Sequence, residues 1–508
     1  MNVIDSVMNL FRRGGAKMGV VGTLNKITDH PRIGVSEREY DRIRDDLRFF
    51  KGDFPMVKYK NTYGLEQTRD YISLNMAQVL VRRMSSILVN EQMTFVIGKD
   101  GSPADVYAHR VLDNNGFIKN FERYLESALA LGGLAMRPYY DAGSNTIKIA
   151  WIQAPVFYPL QSNGNDVSEA AIATKTTTTE GQKTIYWTLL EFHSWNGDEY
   201  VIDNELYRSE DATQVGVPQS LTALDIYADL EPHATVDNLT RPLFVYMKPF
   251  GFNNKDIMSP LGLSIYDNAR NTLQQINDTY DQFNWEIKMG QRRVMVPESL
   301  TTVHDERGTG YMRQFFDTDQ SVFVGMAGGI DENGGIKDLT TDIRTEQYVS
   351  AMNQFIKTLE MQVGLSTGTF SFDAQGLKTA TEVVSENSMT YQTRNSHLNN
   401  VERAIQELII SVLELGKSYD LYNGDIPTLN DVQLNFDDGV FLDKTAQLDY
   451  YAKAVAAGLY SKKRTIETVF DVTDEDAKKI LAEIQSESQG PLSPQDNLMY
   501  GQATGDDD

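Results

Sequence analysis

Gly364-Leu365-Ser366-Thr367-Gly368 has the spacing of a nucleophile elbow, in which a serine sits on a sharp turn between a strand and a helix and exposes its hydroxyl. The flanks argue against that chemistry. Apolar residues at helical spacing precede it and a loop rich in Gly, Ser, Thr and Phe follows, so the match is read as coincidental. The six histidines (His30, His109, His193, His233, His304, His397) show no His-Glu-x-x-His or other ligand spacing and read as surface or satisfied core residues. No glycine-rich phosphate-binding pattern occurs, which leaves ATP-driven work to another protein. The absence of cysteine removes disulfides, thiolate metal sites and a cysteine nucleophile. No cofactor, metal or enzymatic activity is expected.

The basic residues are more equivocal. Arg292, Arg293, Arg307 and Arg313 fall, with Lys337, between residues 291 and 341, where acids outnumber bases eight to five. That balance reads as a solvated surface rather than a DNA patch. Lys378, at the exit of the Gly/Ser/Thr/Phe loop, is open to either reading, a phosphate contact or an ordinary lysine near a helix start. The whole chain has 47 Lys and Arg against 71 Asp and Glu, a formal charge of −24, which disfavours adventitious binding to duplex DNA. No run of about 18 apolar residues suggests a membrane span.

These residues sit on a long chain. Its 508 residues, 41% hydrophobic, can fill a sizeable core and more than one domain. Residues 36 to 255 read as mixed α and β. Ser36 with Glu39 suggests a capping box opening a helix, and further helices are expected in 69–90 and 117–133. Strands follow in the stretches around 134–140, 146–152, 184–195, 199–203 and 243–248, with Asn196-Gly197 and Asp203-Asn204 as hairpin turns and the threonine tract near 174–183 as an exposed tip. The N-terminal segment, with Val3, Ile4, Val7, Met8, Leu10 and Phe11 on one helical face, reads as a docking helix.

After residue 258 the pattern becomes helical. Ser259 and Pro260 suggest a helix start, and Tyr266, Ala269, Leu273, Ile276, Tyr280 and Phe283 continue at alternating steps of three and four. This predicts one helix over 259–290, roughly 45 Å long. A small α/β insertion follows over 291–341. Val349, Met352, Ile356, Leu359 and Val363 then define a second helix over 342–363. Thr379 with Glu382 suggests a capping box for a helix reaching about 417, whose first half is polar and expected to face water or a polar lumen while Leu398, Val401, Ile405, Leu408, Val412 and Leu415 form an apolar stripe. A strand near 431–436 and three short helices around 443–458, 461–470 and 474–487 complete the ordered part. The final residues, 488–508, have almost no apolar content and read as disordered.

This order of parts resembles the portal proteins of tailed double-stranded DNA bacteriophages, most closely those of long-tailed phages of Gram-positive hosts. The likeness lies in the helix 259–290, the insertion, the helix 342–363, the loop 364–378 and the following "KTATEV", with "RFFKGDFP" near the N-terminus. It implies an α+β, mainly helical fold. In it 1–258 and 418–441 would form a wing, 259–290 and 342–363 stem helices, 291–341 a clip, 364–378 a tunnel loop, 379–417 a long wing helix, 442–487 a crown and 488–508 a tail. It further implies a homo-oligomeric ring, commonly a dodecamer, at one capsid vertex of a virion assembled in the host cytoplasm. Double-stranded DNA would pass through its channel, and terminase, head completion or adaptor proteins, and major capsid and scaffold proteins would be its partners, with no membrane involved. Gly368, Phe370, Phe372, Gln375, Gly376 and Lys378 would line the channel. Two alternatives stay open on sequence alone: a minor capsid or scaffold protein without a channel, and a hydrolase built from scattered carboxylates.

Overall fold

The computed structural model describes residues 23–60, 64–89, 93–164, 166–290, 294–295, 303–305, 312–314, 337–338, 342–370, 388–436, 444–470 and 474–488. The expected N-terminal docking helix, the second capping box and the C-terminal tail lie outside them. Two units divide the chain: 1–375 with 389–437, and 376–388 with 438–508.

In the larger unit four helices come first: α1 (Glu37–Lys51), α2 (Met76–Leu88), α3 (Pro103–Asn114) and α4 (Phe117–Leu131). Ser36 caps α1 by accepting the Arg38 amide, but Glu39 does not close the expected box. Its carboxylate instead turns inward to Arg42, Asn253 and Ser259. Helix α2 is shorter than expected because residues 69–74 run extended along another helix, and Asn75 starts α2 from the left-handed region. Helix α3 went unread in the sequence although Ser102 and Pro103 form its N-terminus. Gly132 stops α4 at φ +84, and a Cβ there would lie 2.5 Å from the Gly262 carbonyl oxygen, so glycine is required twice over.

Two short antiparallel pairs lie among these helices, β1 (Val57–Lys60) with β2 (Glu66–Arg69), and β3 (Thr94–Ile97) with a late strand described below. Strands β4 (Leu134–Asp141) and β5 (Thr146–Gln153) form a hairpin. A larger antiparallel sheet orders β6 (Phe157–Ser162), β7 (Val167–Glu180), β8 (Lys183–Asn196) and β9 (Glu199–Ser209), with β10 (Val217–Gln219) and β11 (His233–Val236) sharing the free side of β9. Strand β12 (Val245–Met247) then returns to pair with β4.

One turn reading fails here. Asp203-Asn204 lies inside β9, where pairing with β8 is continuous, and the Asn204 amide donates to the Glu231 carbonyl. The threonine tract forms the exposed end of the β7–β8 hairpin as expected, with the reversal at Gly181.

The helix expected over 259–290 begins late. A 3-10 turn at Asp267–Ala269 leads into α5 (Arg270–Met289), and residues 259–266 are not helical. Their backbone groups are taken by neighbours: Ile265 N–H donates to Leu129 O at 3.0 Å, and Gly262 O accepts from Arg42 at 3.0 Å. A helix there would break these bonds. Helices α6 (Thr345–Gln362) and α7 (Ser388–Ser418) follow, then β17 (Val432–Asn435), which pairs with β3. Short paired strands, β13 (Val294–Met295) with β16 (Lys337–Asp338) and β14 (Val303–Asp305) with β15 (Met312–Gln314), are what is described of 291–341.

A large core runs through this unit, beside a smaller cluster of Ile185, Trp187, Leu189, Leu206 and Leu221. Leu80 and Met84 of α2, Phe121 and Leu125 of α4, Leu134 and Met136 of β4, and Ile405, Leu408 and Val412 of α7 are all buried in the large core. Each such side chain contributes on the order of 1.5–3 kcal/mol. The stripe expected on α7 is buried along its whole length. The smaller unit has three helices close to those expected, α8 (Lys444–Ala456), α9 (Lys462–Phe470) and α10 (Asp474–Ser488), with Ile466, Val469 and Ala477 buried. Among the described residues no helix is long and apolar enough to cross a membrane.

Candidate functional site

Helices α5 and α6 pack antiparallel. Thr272 donates to Gln362 at 2.8 Å at one end, the Phe283 and Tyr348 rings are 5.2 Å apart further along, and Arg344 grips Glu286 at the other end. Of the residues expected to pack here, Tyr266, Leu273, Ile276, Met352, Ile356 and Leu359 are buried, while Tyr280, Phe283 and Val349 are half-buried. At the end of this stripe nearest the core, this chain's own helices cover it.

The polar face of α5 is laced to the segment before α2. Arg69 makes a bidentate pair with Asp281 at 2.7 and 2.6 Å and lies over the Trp285 ring at 4.8 Å. Asp281 also accepts the Ile72 amide, Asp278 accepts the Tyr71 hydroxyl, and Asn277 accepts the Leu74 amide. The Arg69 hydrogen bonds hold the Asp281 carboxyl below the usual range. At the far end the Arg344 side chain pulls Glu286 down to about 2.

After α6 the chain leaves the helix through Gly364, whose φ of +75 an L side chain rarely adopts, and a Cβ there would meet Thr393 Oγ1 at 2.4 Å. Ser366 is buried and exchanges hydrogen bonds with Thr390 of α7. A helix precedes Ser366 and no strand leads into it, so the elbow geometry is absent. The Glu360 carboxylate, fully buried, accepts the Gly368 amide at 2.8 Å and the Phe370 amide at 2.6 Å. The start of the loop is thus clamped at two consecutive points, on α7 and on α6. Gly368 and half-buried Phe370 lie at this clamp, whereas Phe372, Gln375, Gly376 and Lys378 fall outside the described residues, as do Arg292, Arg293 and Arg307. Arg313 lies in β15, opposite His304.

The first half of α7 departs from expectation. Thr390, Arg394 and His397 are buried rather than facing water, because each meets a polar group of the chain: Ser366, the Ile87 carbonyl at the end of α2, and the Phe250 amide. Burial pushes His397 down to about 4, which keeps it neutral and able to accept that amide. Met389 and Tyr391 are exposed.

A second polar cluster locks the root of α5. Arg42 of α1 reaches Glu39, Asp46 and Asp267, and Arg270 reaches Asp45, Asp46 and Asp267. Sequence reasoning missed this cluster and Glu360. A signal for Glu360 existed, since it lies four residues after Ile356 and three before Val363, on the apolar face. Among the described residues no group of three or more His, Cys, Asp or Glu could hold a metal.

The description "Phage portal protein, SPP1 Gp6-like" matches residues 29–490. The chain belongs to that family, whose members are structural and not enzymes. No curated protein matches the sequence. Among solved structures, a chain from the virion of a native gene transfer agent particle is similar with a TM-score of 0.43 at 11% identity, covering 90% of this chain and 98% of that one. A chain from the neck of an empty particle of the same kind, computed with C6 symmetry, gives 0.41 at 11% identity, over 84% and 93%. One from the neck of the native particle, computed with C12 symmetry, gives 0.39 at 10%, over 79% and 95%.

Proposed function

We propose that this chain forms a closed ring, of about twelve copies, at one vertex of a capsid, and that double-stranded DNA passes through its centre during packaging and ejection. On the sequence resemblance it is the kind carried by long-tailed phages of Gram-positive hosts. In this reading α5 and α6 are stem helices, 291–341 is the clip that meets terminase and later the head completion proteins, and the loop after Phe370 reaches toward the channel. Scaffold and major capsid proteins would meet the rest of the ring, which assembles in the host cytoplasm and ends in the virion.

Membership of the portal family over 29–490 carries the reading. The order of elements supports it, two antiparallel helices bracketing a small β insertion, then a clamped loop, then a 31-residue helix. The charge supports it as well, because a conduit must hold DNA without gripping it. Each cation bound to phosphate would retard sliding, whereas a wall built from copies of −24 repels it.

The test is DNA packaging into capsids carrying a chain shortened between 371 and 377. Rings should still form and packaged DNA should fall at least tenfold. Undiminished packaging would remove the loop from the mechanism.

A further inference from the structure

We propose that the segment 249–258, between β12 and the root of α5, is where one copy of this chain seats on the next, through Phe250, Phe252, Ile257 and Met258. The inference rests on the ring reading. These side chains are 59, 70, 70 and 86% exposed, and Met258 is the most exposed large apolar residue among those described. Single exposed apolar residues need no explanation, but four within nine positions do.

The segment is held firmly. Asn253 is buried; its amide donates to Glu39 at 2.9 Å and to the Leu261 carbonyl at 3.0 Å, and its oxygen accepts the Lys255 and Asp256 amides at 3.1 Å. Ser259 donates to Glu39 at 2.8 Å, and the Phe250 amide donates to His397 Nδ1 at 3.0 Å. Polar atoms therefore turn inward onto α1 and α7 and apolar side chains turn out. A segment already fixed in this way loses little entropy on docking.

Three considerations point to a second copy as the occupant. With about 150–200 Å² per side chain, the exposed fractions amount to on the order of 500 Å² of apolar surface. A stable interface needs roughly 800 Å² per partner, so this patch suits the centre of a larger face between fixed neighbours better than a free partner. The segment is neutral, with Lys255 against Asp256, on a chain of −24. Like-charged copies approach best through a neutral apolar contact, and DNA finds no cluster of cations here. Finally, the segment leads through residues 259–266 to the root of α5, the helix that the ring reading sets beside its copies.

The experiment compares ring formation by the full chain and by the double variant Phe252→Glu/Met258→Glu, using native mass spectrometry, with circular dichroism to establish folding. We expect at least a tenfold loss of rings with an unchanged fold. In parallel, Met258→Cys supplies the chain's one thiol, which is labelled with a benzophenone maleimide and irradiated. Crosslinks to another copy of the chain are expected. Undiminished rings in the double variant, or crosslinks only within one chain or to a capsid protein, would overturn the proposal. Absence of rings in the unaltered chain would sink the ring reading, and this inference with it.

Discussion

Asp46 on α1 and Asp267 at the root of α5 share one guanidinium: Arg42 Nη1 lies 3.1 Å from Asp267 Oδ2 and 3.6 Å from Asp46 Oδ2. Both carboxylates are buried, and neither Asp46 oxygen meets a hydrogen-bond donor. Burial first, and the Asp267 charge second, push the Asp46 carboxyl up to about 8. An acid that stays protonated in the fold while the unfolded chain has lost its proton makes stability fall as pH rises, here between about 4 and 8. Asp46→Asn imitates the protonated acid. Its melting temperature should match that of the unaltered chain near pH 4 and exceed it by several degrees at pH 8. Parallel curves for the two proteins would refute the protonated Asp46.

Glu360 clamps the start of the loop through the Gly368 and Phe370 amides. Glu360→Ala removes the carboxylate that accepts the Gly368 and Phe370 amides, a loss of about 1–3 kcal/mol for a buried amide deprived of its acceptor. Hydrogen exchange at those two amides should quicken by more than tenfold, with Glu360→Gln intermediate because it keeps one oxygen. Exchange unchanged in Glu360→Ala would show that the loop start is held by something else.

The two ion pairs on α5 should behave differently. Arg344 and Glu286 meet in solvent, where screening and side-chain entropy offset most of the attraction. Arg344→Ala should leave the denaturation midpoint almost unmoved, and any change should vanish in 0.5 M salt. Arg69→Ala should cost about 1–3 kcal/mol, since it takes a bidentate partner from Asp281, whose side chain is 6% exposed. Urea titrations of both variants at two salt concentrations measure this. Equal losses would contradict the assignment.

Gly364→Ala should destabilise by about 1–3 kcal/mol, because φ +75 and the 2.4 Å approach to Thr393 Oγ1 both oppose a methyl group. Adding Thr393→Ala should recover the steric part and leave the backbone part. Full recovery would mean that the left-handed conformation costs nothing here.

Much of the architecture was legible because it rests on periodicity. The stripe from Leu398 to Leu415 and the spacing from Val349 to Val363 mark helices, since an amphipathic helix must bury one face. The start of α5 was misread because Ser259-Pro260 is a sound local helix start that tertiary contacts override. Leu129 and Arg42 claim the backbone of 259–266, and no local rule encodes partners more than a hundred residues away. The same cause hid the buried polar face of α7. Thr390, Arg394 and His397 look like a wet surface until the Ile87 carbonyl and the Phe250 amide are brought to them. Glu360 was visible as an acid on an apolar face, but which amides it would accept was not.

The central claim, that copies of this chain surround a DNA channel, is tested most directly by imaging the purified full-length chain under negative stain together with its native mass. The account predicts closed rings with a central pore and a mass near a whole multiple, about twelvefold, of 57.2 kDa. Particles of a single chain with no pore, at every concentration and salt tried, would contradict it.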